Sequence, residues 1–117
     1  FKKSLNGSKI LILGVAYKQD IDDYRESPAI RVIEELEPTG AEVDFYDPYI
    51  PAYKERGIVK EGLKEISEDI VASYDLVMVT AAHTTVDYEM IQRSAKAIFD
   101  TKNVMKNLEN RENIEVL

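Results

Sequence analysis

Lys9-Ile10-Leu11-Ile12-Leu13-Gly14-Val15 is a short run, continuously apolar after Lys9, rich in branched residues and ended by Gly14. A strand with one wet face alternates apolar and polar positions. A run that is apolar at every position is covered on both faces, which is the mark of a strand inside a parallel sheet.

Downstream, Ser27-Pro28 reads as an N-cap followed by proline at the first helical position. Ile30, Ile33 and Leu36 lie on one face of that helix until Pro38 and Gly40 stop it. Val43 to Tyr46 gives a second strand closed by Asp47-Pro48, and residues 49 to 62 carry turn and charge signals that read as loop with a short helical turn. Leu63 to Ser73 predicts a helix, Leu76 to Thr80 a third buried strand, Tyr88 to Ser94 a helix and Ala97 to Phe99 a short fourth strand. In the tail, Val104 to Leu108 fits a helical turn and Ile114 to Leu117 an edge strand. Strands alternating with helices specify an α/β fold: a Rossmann-like, three-layer domain with a mainly parallel sheet and helices on both faces. Such sheets take ligands beyond the carboxyl ends of their strands, which directs attention to residues 16 to 27, 47 to 53, 80 to 87 and 100 to 103.

The 117 residues, 44% apolar, suit one compact domain. The sequence has no cysteine, which excludes disulfides, thiolate metal sites and a cysteine nucleophile within it. A net charge of −7 repels a phosphate backbone and argues against nucleic acid as a partner, although a few well-placed cations still suffice for one phosphorylated small molecule. No apolar run approaches the roughly 20 residues that span a bilayer. A cytoplasmic location, with no membrane partner, is the expectation.

An ordinary dinucleotide-binding turn would carry G-x-G-x-x-G after the first strand. Only Gly14 is present, followed by the long polar connection Val15-Ala16-Tyr17-Lys18-Gln19-Asp20-Ile21-Asp22-Asp23-Tyr24-Arg25-Glu26 before Ser27-Pro28. Tyr17 and Lys18 set an aromatic ring beside an ammonium, and Arg25 adds a guanidinium. Ring and cations suit a nucleotide, whose base stacks while its diphosphate accepts charge-assisted bonds. From the residues alone, the plainer reading of Lys18 and Arg25 as solvated cations paired with Asp20, Asp22, Asp23 or Glu26 is the better supported.

The stretch resembles the signature of the C-terminal, UDP-binding domain of UDP-glucose/GDP-mannose dehydrogenases, roughly G-x-x-[FY]-K-x-x-[TI]-x-D-x-R-x-S-P. Gly14, Tyr17, Lys18, Ile21, Asp23, Arg25, Ser27 and Pro28 fall in register with it. The resemblance continues through Gly40-Ala41-Glu42-Val43, Tyr46-Asp47-Pro48 and Phe99-Asp100-Thr101-Lys102, and so spans about Lys9 to Asn103. It implies that residues 1 to 117 form one UDP-sugar-binding domain of a longer, homo-oligomeric enzyme. Family members oxidise the C6 hydroxyl of a nucleotide sugar to a carboxylate with NAD and a cysteine thioester, carried on N-terminal and central domains. By the resemblance, Tyr17, Lys18 and Lys102 contact the UDP-sugar and Arg25 reaches NAD; no catalytic residue and no metal ligand is assigned to these residues. Lys102 departs from the family's usual arginine, which reduces a bidentate contact to a point charge. Tyr17 with Ile21-Asp22-Asp23, and Asp47-Pro48-Tyr49-Ile50-Pro51, look more like dehydrogenases of UDP-N-acetyl-hexosamines than of UDP-glucose, UDP-N-acetylglucosamine first and UDP-N-acetylmannosamine next.

Other candidates have plainer readings. Ser27 is a helix cap and Asp23 orders its loop. His83 follows the third strand where the family often shows T-D-H, but Ala82 stands where an acid would orient the ring, and a lone histidine at a helix start is usually structural. Tyr49, Tyr53, Tyr74 and Tyr88 should pack on the sheet with wet hydroxyls. Asp20, Asp22 and Asp23 invite a Mg²⁺ reading, but without a phosphate-cradling glycine loop they fit a solvated cluster better. Two further functions compete: a stand-alone nucleotide-binding regulatory module, and a phosphoacceptor receiver domain imitated by Asp22-Asp23, Asp47, Thr80 and Lys102. The receiver fails on spacing, because the acidic pair lies far beyond Gly14 and Pro48 follows the acceptor.

Overall fold

In the computed structural model, residues 7–15, 27–55, 58–81, 83, 86–100 and 114–116 are described. Strand β1 (Lys9–Leu13) lies in a five-stranded sheet in which every pairing is parallel. Its partners are β2 (Glu42–Tyr46), β5 (Leu76–Val79), β6 (Ile98–Asp100) and β7 (Ile114–Val116), in the order β2-β1-β5-β6-β7. Period-two geometry sends alternate side chains of β1 to opposite faces. Ile10 and Ile12 join one core with α1 (Pro28–Leu36), whereas Leu11 and Leu13 join another with Val71 of α2 (Glu68–Ala72) and Ile91 of α3 (Tyr88–Ser94). Helices therefore cover both faces, which is why β1 is apolar from Ile10 to Leu13.

Helix α1 begins as its sequence dictates. The Ser27 hydroxyl accepts from Ala29 N–H at 3.2 Å, and Pro28 occupies a position whose amide would have lacked a partner. Ala29, Ile30 and Ile33 turn inward, with Leu36 packed at the edge of the same core. Ile33 is fully buried, so Ile33→Ala should cost about 2–5 kcal/mol.

Two segments differ from the sequence expectations. Residues 49 to 62 contain an antiparallel hairpin, β3 (Ala52–Glu55) with β4 (Ile58–Glu61), where loop and a helical turn were expected. Tyr53 packs its ring 5.3 Å from that of Phe45, which lays the hairpin over the α1 side of the sheet. The chain leaves the hairpin so close to Phe45 that a Cβ on Gly62 would sit 2.6 Å from its ring. The helix expected over Leu63 to Ser73 shortens to Glu68–Ala72. Leu63 N–H is drawn to Phe45 O at 2.8 Å, and the helix waits for the cap at Ser67, whose hydroxyl accepts from Ile70 N–H at 3.3 Å. The expected turn at Val104 to Leu108 lies outside the described residues, while the expected edge strand is β7.

Candidate functional site at the strand ends

After β1 and α1 the chain adds β2 on one side, then returns past β1 to place β5 on the other. The reversal falls between β1 and β5, the place in a parallel sheet beyond whose carboxyl ends ligands customarily bind. Four strand exits matter: Gly14-Val15, Asp47, Thr80 to His83, and Asp100.

The first exit is locked against the third. Gly14 takes φ 90°, a region that glycine enters without steric cost, and a Cβ there would lie 2.5 Å from the Ala81 Cβ and 2.9 Å from the Ala81 N and O. Thr80 N–H donates to Leu13 O at 2.9 Å, and the Thr80 hydroxyl contacts the carbonyl oxygens of Leu13 and Gly14. On the other side, Gly14 N–H donates to Tyr46 O at 2.9 Å.

Asp47 gathers donors from three segments of the chain. Its Oδ1 accepts from Tyr49 N–H at 2.8 Å, and its Oδ2 accepts from Val15 N–H at 2.9 Å. The same Oδ2 lies 2.8 Å from His83 Nε2, with both side chains buried to 1% exposure or less. A carboxylate only accepts, so this bond places a proton on Nε2 and fixes the ring's orientation. The Tyr49 ring packs against the imidazole at a centroid distance of 4.9 Å, and the Tyr88 hydroxyl donates to His83 O at 2.9 Å. Asp100, fully buried at the end of β6, lies in register with Val79 of β5.

The acid that orients His83 therefore comes from the end of β2, 36 residues away, rather than from position 82. Nor does His83 begin a helix: α3 starts at Tyr88 with Asp87 as its cap. Two of the tyrosine hydroxyls expected to be wet have protein partners: Tyr74 donates to Asp44 Oδ2 at 2.7 Å and Tyr88 donates to His83 O. Sequence reading singled out 47 to 53 and 80 to 87 as strand exits but missed the pairing, because no local periodicity links Asp47 to His83.

Tyr17, Lys18, Arg25 and Lys102 lie outside the described residues, as do Asp20, Asp22 and Asp23. Their flanks are described: Val15 and Ser27 are both buried, and Asp100 precedes Lys102 at the end of β6. Of the residues that imitate a receiver, Asp47 and Thr80 are engaged with backbone and His83 as above. Among the described residues, no group of three or more His, Asp or Glu side chains could hold a metal, and no helix is long and apolar enough to cross a membrane.

A family model, "UDP-glucose/GDP-mannose dehydrogenase family, UDP binding domain", matches residues 11–107. The chain belongs to this family. It is 32% identical over 102 residues to the UDP-N-acetyl-D-mannosamine dehydrogenase of Pyrococcus horikoshii, covering 83% of this chain and 22% of that protein. It is 34% identical over 84 residues to the UDP-N-acetyl-D-glucosamine 6-dehydrogenase of Salmonella typhi, covering 70% of this chain and 19% of that protein. The solved structure of a UDP-D-ManNAc dehydrogenase from Pyrococcus horikoshii superposes with a TM-score of 0.74 at 27% identity, covering 97% of this chain and 26% of that one. The chain thus spans about a fifth of the length of the curated relatives it matches. The resemblance of Gly14 to Pro28 to the family signature and the three-layer parallel fold are both borne out.

Proposed function

We propose that this chain is the UDP-sugar half-site of an NAD-dependent nucleotide-sugar 6-dehydrogenase, which oxidises the C6 hydroxyl of a UDP-N-acetyl-hexosamine to a carboxylate. The observation that carries the reading is positional: the signature segment leaves β1 at the β1/β5 reversal, where parallel sheets bind ligands. Tyr17 stacks on or lines the nucleotide, Lys18 donates to a diphosphate oxygen, and Lys102 adds a point charge from the end of β6. N-acetylglucosamine is the first candidate sugar and N-acetylmannosamine the second; relatives bearing both names match the chain.

NAD is the oxidant in this reading, and the described residues do not build its cradle. In a dinucleotide-binding first turn the glycine leaves room for a pyrophosphate, whereas the space beside Gly14 is filled by Ala81. NAD is held mainly by the N-terminal domain of a longer, cytoplasmic, homo-oligomeric protein, and Arg25 contributes a guanidinium to it. Lys18 and Arg25 thereby serve different ligands. In the full-length enzyme, Lys18→Ala should raise the apparent constant for UDP-sugar by about tenfold to a hundredfold and disturb that for NAD less, with Arg25→Ala doing the reverse. Equal shifts in both constants for each variant would assign the two cations to pairing with the nearby acids instead.

A further inference from the structure

Three exits from the sheet meet on one side chain. Asp47, at the end of β2, holds Val15 N–H at the end of β1 and His83 Nε2 beyond β5, both on Oδ2, while Oδ1 takes Tyr49 N–H. The pair is buried, with Asp47 and His83 side chains at 0% and 1% exposure. Burying an acid and an imidazole is an expensive way to close a core, and apolar residues of similar volume commonly serve stability as well or better. What such a pair supplies is one geometry, because a carboxylate with all its donors in place admits little rotation.

We propose that Asp47 and His83 are positioning residues for nucleotide binding. His83 holds the carboxylate, the carboxylate holds the Val15 amide, and that amide sets the direction in which the chain leaves β1, two residues ahead of Tyr17 and three ahead of Lys18. The inference rests on the reading of Tyr17 and Lys18 as UDP contacts. A contact group displaced by about an ångström loses much of its effect, so a loosened exit weakens binding although no ligand contact is removed.

The test is calorimetric titration of UDP into the 117-residue chain and two variants. His83→Phe keeps the ring volume and removes the N–H; His83→Gln restores a side-chain N–H able to reach Asp47. His83→Phe should weaken UDP about tenfold, and His83→Gln should regain most of that loss. A purely structural pair would lower the melting temperature of His83→Phe while its folded molecules bound UDP as before. UDP affinity of His83→Phe within about twofold of the unsubstituted chain overturns the inference and leaves the UDP reading standing. Absence of UDP binding by the unsubstituted chain overturns both. Should His83→Phe not fold, the Val15 amide resonance of the unsubstituted chain decides: it should move along the calorimetric saturation curve, and a resonance unmoved by UDP overturns the inference.

Discussion

Two acid–ring pairs reach across β1 from the β2 side to segments that flank β5, and they are built differently. At the carboxyl end, Asp47 accepts from Val15, Tyr49 and His83, and both members of the pair are sealed from water. On the α2/α3 face, Asp44 of β2 accepts from the hydroxyl of Tyr74, just ahead of β5, and remains half-buried. The same chemical couple, a carboxylate and a ring donor, is thus a junction in one place and a brace in the other. What separates them is the number of buried donors that would be orphaned if the acid were lost.

That count sets the largest expected effect. Asp47→Ala strands the Val15 N–H and the His83 Nε2 in a dry site and leaves the Tyr49 N–H unmet at its partly buried edge, at about 1–3 kcal/mol for each unmet buried donor. A total of about 3–5 kcal/mol is expected, a large part of the roughly 5–15 kcal/mol that holds a domain folded. Asp44→Ala should cost only about 1 kcal/mol, because the Tyr74 hydroxyl can turn to water at a half-buried site. Urea unfolding of the two variants compares them directly, and equal losses would erase the distinction.

A smaller effect, and a sharper one, is expected at Gly14. A methyl there meets Ala81 at 2.5 Å with φ at 90°, so Gly14→Ala must push the exits of β1 and β5 apart, at about 2–3 kcal/mol. The strain should reach the junction and spare the brace: in NMR spectra the His83 ring signals should shift while those of Tyr74 stay in place. Adding Ala81→Gly removes the Cβ contact but leaves the 2.9 Å approaches to the Ala81 backbone, so rescue should be partial. Full rescue would show that side-chain crowding alone dictates a glycine here.

The contrast between junction and brace also explains what could be read from the sequence. β1, α1 and α3 were legible because each carries its own local signal: a branched run after Lys9, a Ser27-Pro28 start, and the helical spacing of Tyr88 to Ser94. The β3–β4 hairpin was not. Lys54, Lys60 and Glu61 give it a loop-like charge pattern, and its strand character rests on cross-strand pairs and on Tyr53 meeting Phe45. The start of α2 was signalled by Ser67 followed by Glu68 and Asp69, a cap with acids in the first turn, but apolar Leu63 and Ile66 extended the reading upstream. As for the site, the strand exits followed from topology and the signature segment from its residues. The bond between Asp47 and His83 joins separate exits, and only the fold brings those together.

The smallest effect tests the brace by pH. Burial first, and then the hydrogen bond to Asp44 with the negative charges of Asp44 and Glu42, push the Tyr74 phenol well above its ordinary range near 10. A raised pKa in the native state means that the folded protein keeps a proton that the unfolded chain releases. The contribution is therefore intact below about pH 10 and is lost as pH rises from there towards the native value. Tyr74→Phe removes both the bond and this titration. At pH 7 the variant should be less stable by about 1 kcal/mol, the usual net worth of one hydrogen bond. Lysines also titrate in the alkaline window, and Lys9 Nζ sits 5.1 Å from the Tyr74 ring centroid, but phenylalanine keeps a ring beneath it, so that contribution is common to both proteins. Between pH 9 and 11, roughly the span across which an ordinary tyrosine ionises, the unsubstituted protein should lose stability faster and the gap should narrow. Melting curves at matched ionic strength would show it. Parallel loss in both proteins would mean that the phenol titrates alike folded and unfolded, and that Asp44 and Tyr74 contribute packing without holding a proton in place.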